Sequence, residues 1–172
     1  MTTPALLQSL SAGHQAFADQ IGSLGEAEFM AAAPGKWTPG QQLDHIRRSV
    51  GPVLLAFRLP RFVLRRLFGT ANRPSRSYEE LVQRYQDRLA KGGRAPGPFI
   101  PAAVPFAQRA ALSARLMRSV EQLCRIAGRM PDAELDRCIL PHPLLGKLTL
   151  REMLYFTRYH VQHHQAQLPA AQ

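Results

Sequence analysis

Three of the chain's six histidines, His160, His163 and His164, fall within five residues in the stretch YHVQHHQAQL. Imidazole binds divalent metals and carries protons near neutral pH, so clustered histidines point to metal or proton chemistry. A helix turns about 100° per residue, which leaves residues four apart only about 40° out of line. His160 and His164 therefore share a stripe with Met153, Thr157 and Leu168, and the apolar members predict that this stripe faces inward. Two imidazoles one turn apart can reach a single ion, as paired ligands do in zinc enzymes. His163 lies about 100° from His164 and points to the flank. The competing reading is a pair of core histidines held by hydrogen bonds. Each would then need its own partner, because an unpaired buried polar group costs ~1–3 kcal/mol. One metal ion satisfies both, but the spacing H-x-x-x-H alone does not separate the two readings.

An open zinc-type site takes three protein ligands and water. His45 is the candidate third ligand. It sits about 100° from Ile46, off the centre of its helix's apolar stripe and beside the small Ser49 and Ala56. A bundle helix meets two neighbours, so that flank can face inward, and the helical wheel leaves both orientations open. His14 falls in the apolar stripe of the first helix and reads as a satisfied core histidine. His142, in PHPLLG, reads as a turn residue, and Cys138, a thiol that could attract a soft metal, stands outside any ligand cluster and reads as packing. No general base stands out. Asp44 turns away from the side of His45, Glu152 is committed to a helix cap, and Gln167 is near the cluster by sequence only.

The elements that must position these residues are helical. Leu6, Leu10, His14, Phe17 and Ile21 recur at steps of three and four over residues 5–22. In TPGQ, Thr38 is an N-cap, Pro39 fits the first helical position, and Gln41 completes a capping box. The helix that follows carries Leu43, Ile46, Val50, Val53, Leu54 and Phe57, with a kink expected at Gly51-Pro52. A further piece begins at Pro60 and runs to Phe68, and Ser77 caps a short helix with Glu80 three residues on. KGGRAPGPFIPAAVP, rich in glycine and proline, is an irregular connection. A long helix over 105–129 places Ala110, Ala114, Met117, Val120, Leu123 and Ala127 inward. The last helix opens on LTLREM, where Thr149 and Glu152 form another capping box and Leu148 and Met153 a hydrophobic staple. No alternating strand pattern is evident. The reading is an all-α, four-helix bundle with a helical and loop insertion between its second and third helices.

With 172 residues, 45% of them hydrophobic, the chain is long enough for one domain over 1–172. The start MTTPALLQSL lacks the basic start and the small-residue cleavage pattern after an apolar run that mark a signal peptide, and no apolar run reaches the ~18 residues of a membrane span. The two cysteines form no C-x-x-C and no disulfide framework. These features predict a soluble protein of the reducing cytoplasm. A formal charge of +10 favours anionic partners. The basic segment 58–76 contains no aromatic platform, zinc-finger spacing or helix-turn-helix signature, so nucleic acid is disfavoured and a solvated basic face is the default. Apolar flanks on the helices are compatible with a homodimer.

Read together, KWTPGQQLDHI, HPLLGKLTLREMLYFTRYHVQHHQAQL and the four-helix plan resemble the DinB-like superfamily over nearly the whole chain. The specific part is the order: a Trp before the second helix, a His on it, a Pro-and-Gly loop, then H-x-x-x-H followed by Gln. The resemblance implies that His45, His160 and His164 form a three-histidine site for a divalent metal, zinc or nickel. Relatives of this kind include metal-dependent transferases that conjugate bacillithiol or mycothiol to electrophiles, and a mycothiol-dependent maleylpyruvate isomerase. Others are grouped only as metal-dependent hydrolases. The implied function is thus a metal-dependent thiol S-transferase or hydrolase acting on a small-molecule substrate, with a low-molecular-weight thiol as a second cofactor. The alternative is a non-catalytic metal- or ligand-binding bundle with a basic partner-binding surface. The segment between helices two and three departs from compact members and is placed to reshape the pocket mouth.

Overall fold

The computed structural model describes residues 1–169. Four long helices form the bundle: α1 (Thr3–Ser23), α3 (Pro39–Arg58), α6 (Arg109–Ala127) and α8 (Leu150–Gln165). Each packs on two neighbours, in the ring α1–α6–α3–α8. Leu6, Leu10, Phe17, Ile46, Leu116 and Val161, all at most 1% exposed, contribute to the core between them. Apolar residues at steps of three and four put one stripe of each helix inward, and burial of those stripes is what holds short helices together in water.

The local start signals act as the residue types predict. Thr38, Ser77 and Thr149 each accept a hydrogen bond from the backbone N–H three residues on, and Gln41, Glu80 and Glu152 reciprocate. The helix opened by Thr38 continues through Pro52 to Arg58. Pro60 precedes α4 (Arg61–Phe68), and Ser77 caps α5 (Tyr78–Ala90). With the connection after α5, which makes 3-10 turns at Gly97–Phe99 and Phe106–Gln108, these form the insertion between the second and third bundle helices. No helix among the described residues is long and apolar enough to cross a membrane.

Four features differ from the sequence expectation. A five-residue helix, α2 (Glu26–Met30), follows α1 and buries Phe29. The long helix starts four residues late, at Arg109, and its buried stripe is Leu112, Leu116, Val120, Leu123 and Ala127. Ala110 and Ala114 face solvent instead. Leucine gains more by burial than alanine, so the leucine stripe decides the rotation of the helix. After the short α7 (Asp132–Arg137), the chain makes an antiparallel hairpin of β1 (Ile139–His142) and β2 (Gly146–Thr149), where no strand was read. Four-residue strands are too short for a period of two to show, and Pro141 masks one of them. Gly146, at φ 75°, supplies the left-handed turn that returns the chain. The hairpin runs straight into α8, whose first turn it pins.

Candidate metal centre

α8 presents its inner stripe as the wheel requires: Met153, Thr157, His160 and His164 are buried, and Leu168, expected to continue the stripe, lies past the end of the helix at Gln165 but is buried too. α3 packs beside it and turns its flank inward, so that His45 is 4% exposed. The three imidazole rings form a near-equilateral triangle, with centroid separations of 4.9, 4.8 and 4.8 Å. One ring nitrogen from each lies within 4.8 Å of the others, and His45 Nε2 is 3.1 Å from His160 Nε2. This group could hold a metal ion.

The surroundings fit that use. Burial, the largest influence, holds all three imidazoles below their ordinary pKa, and for His160 and His164 the neighbouring rings push the same way. They are neutral at pH 7, the form that donates a lone pair. His45 Nδ1 lies 2.7 Å from the Phe99 carbonyl, which can only accept. The proton of the neutral ring is therefore on Nδ1, and Nε2 turns a lone pair toward His160. His164 Nδ1 lies 3.3 Å from Gln42 Oε1, which assigns it the same tautomer. Outer hydrogen bonds of this kind orient metal-binding histidines and fix the nitrogen left free. His45 Nε2 lies 3.1 Å from His160 Nε2, a distance met either by the Nε2–H of a neutral His160 donating to His45 or by a metal ion shared between the two rings.

The triad opens on a cavity of about 660 Å³. Trp37 lines it between two ligand candidates, 4.7 Å from the His45 ring and parallel to His164 at 6.1 Å. Phe156 stacks on His160 at 4.8 Å. Tyr85, Phe99, Ile100, Leu140 and Leu144 extend the apolar wall, so the insertion and the hairpin both contribute to it. Tyr85 keeps its phenol proton, because burial pushes its pKa up to about 12.

The remaining sequence candidates separate cleanly. His163 is half-buried on the cavity wall, outside the triad, and accepts from Gln167 Nε2 at 3.0 Å. His142 accepts from the backbone N–H groups of Leu144 and Leu145 at 3.2 Å, as a turn residue would. It also packs against Phe156, at 4.2 Å between centroids, and lines the cavity. His14 is only half satisfied: Nδ1 donates to the Leu10 carbonyl at 2.8 Å, while buried Nε2 has no partner among the described residues. Asp44 is clamped by Arg47 and Arg48, and Glu152 by Arg73 and Arg76, and neither lines the cavity. Cys124 and Cys138 are free and off the cavity, and burial raises both thiols. Sequence reasoning missed Gln42, Phe99 and Tyr85 as parts of the site. Gln42 had a usable signal, a polar residue one turn before His45 on the same helix. The carbonyl of Phe99 had none.

A family model of the DinB superfamily matches residues 9–168. No curated protein and no solved structure matches the chain. The helical bundle and the buried three-histidine cluster fit a metal-binding enzyme of that family. The chain belongs to the DinB superfamily.

Proposed function

We propose that the protein is a divalent-metal-dependent enzyme whose ligands are His45, His160 and His164, and that it transfers a low-molecular-weight thiol to an electrophilic small molecule. The observation that carries this reading is the meeting of three buried, neutral imidazoles from two bundle helices at the floor of one cavity. All-imidazole donor sets suit zinc or nickel. When bound, such an ion lowers the pKa of a coordinated thiol or water and supplies a nucleophile at neutral pH. The chain's own part is positional. Phe99 and Gln42 hold the rings of His45 and His164, while Trp37 and Phe156 cover the triad with apolar surface. No aspartate or glutamate among the described residues lines the cavity, and water-driven hydrolysis often employs a carboxylate as its base. Thiol transfer is thereby favoured over carboxylate-assisted hydrolysis.

The test is elemental analysis of untagged protein beside the His45→Ala/His160→Ala/His164→Ala variant, followed by a conjugation screen of thiols against electrophiles. The expected result is about one zinc or nickel per wild-type chain, none in the variant, and conjugation by the wild type alone. Equal metal in both proteins overturns the ligand assignment. Conjugation surviving in the variant overturns the chemistry.

A further inference from the structure

The cavity is one-sided in charge. Among its lining residues are Lys36 and Arg94, and no carboxylate. Neither cation forms an ion pair among the described residues, where Asp44, Asp132, Glu134, Asp136 and Glu152 pair instead with Arg47, Arg48, Arg65, Arg73, Arg76 and Arg151. The two cations reach the cavity from separate segments. Lys36 comes from the turn before α3, and Arg94 from the insertion after α5. Both are exposed, which places them at the mouth, while Phe99, Leu144 and Phe156 form apolar wall farther in. Ile100 also lines the cavity although 53% of it is exposed, an apolar surface that a ligand would cover. A cavity with apolar walls and a few convergent charges reads as a site for a molecule with the complementary layout.

We propose that the cavity takes an amphipathic organic anion, its apolar body against Phe99, Ile100, Leu144 and Phe156 and its negative group between Lys36 and Arg94. The charge balance strengthens this where the metal reading above holds, since three neutral imidazoles leave a divalent ion uncompensated and the ligand then brings the negative charge. The two cations at the mouth require no metal for their part. A carboxylate and a phosphate ester both supply the required chemistry, and the head group is read from the experiment.

Binding of 2-naphthylacetate, 2-naphthyl phosphate and uncharged 2-naphthylacetamide is measured by calorimetry on zinc-loaded and chelator-treated full-length protein. Emission of Trp37, the chain's one tryptophan, reports whether each probe enters the cavity. The wild type is expected to bind at least one anion about tenfold more tightly than the amide, with the tighter anion identifying the head group. In Lys36→Glu/Arg94→Glu that preference disappears while amide binding stays within about twofold, and the preference also shrinks as salt is raised. Both positions are exposed, and circular dichroism checks that the variant folds. Uptake of zinc and of nickel by the same protein reads the histidine triad separately. Anion preference in protein that takes up neither zinc nor nickel upholds this inference and overturns the metal reading. An amide that binds as tightly as both anions, or an anion preference unchanged in the double variant, overturns the inference.

Discussion

Replacing His14 with methionine should make the protein more resistant to acid. His14 is fully buried, and burial, partly offset by its bond to the Leu10 carbonyl, lowers its pKa from 6.5 to about 4. The unfolded chain takes up a proton here that the folded chain refuses. The stability contribution is therefore complete above pH 6.5 and is lost as the pH falls toward 4. At pH 5 the loss from this one residue is about 2 kcal/mol, and it levels off near ~3 kcal/mol below pH 4. Methionine has a similar volume, does not titrate, and removes the unpartnered buried Nε2. What it forfeits is one hydrogen bond to the preceding turn, worth about 1 kcal/mol. At pH 7, His14→Met should thus lie within about 1 kcal/mol of wild type. At pH 5 it should have gained about 2 kcal/mol on it. Urea unfolding of chelator-treated protein at both pH values measures the difference. His142, His160 and His164 also titrate on unfolding, but they are common to both proteins and cancel to first order in the comparison. Equal losses of stability between pH 7 and pH 5 in the two proteins would refute the reasoning.

Glu152→Gln should destabilise the protein by ~2–4 kcal/mol in urea unfolding, because the fully buried carboxylate accepts from Arg73, Arg76 and the backbone N–H groups of Thr149 and Arg76. Burial alone would raise the pKa of Glu152, but these bonds outweigh it and lower it, so wild type should show a loss of stability below about pH 4.5 that the variant lacks. Gly40→Ala should cost ~1–3 kcal/mol in thermal or urea unfolding despite alanine's better helix propensity, since an added Cβ would sit 2.7 Å from two Phe29 ring carbons. A neutral or stabilising result would show that Phe29 yields freely. Gln42→Leu removes the acceptor of His164 Nδ1 and should weaken zinc binding roughly 10–100-fold in competition with a chromophoric chelator. Unchanged affinity would remove Gln42 from the support of the site.

The parts of this protein that the sequence determined by itself are those whose physics acts within a turn or two of chain. The caps at Thr38, Ser77 and Thr149 close over three residues, so residue type and spacing reveal them. The inward stripe of α8 follows from helical periodicity, and with it the pairing of His160 and His164. The family pattern in KWTPGQQLDHI and YHVQHHQAQL added His45, which the wheel had left on a flank. Only the tertiary structure decided that this flank faces α8, because that depends on which two neighbours α3 packs against. The same holds for the Phe99 carbonyl, 54 residues from the His45 ring it orients, and for Lys36 and Arg94 at one cavity mouth. It holds too for the rotation of α6, where alanine and leucine stripes were both helical and only burial separated them. Hydrogen bonds and stripes within one helix are written in local order, whereas contacts between distant segments exist only once the whole bundle has closed.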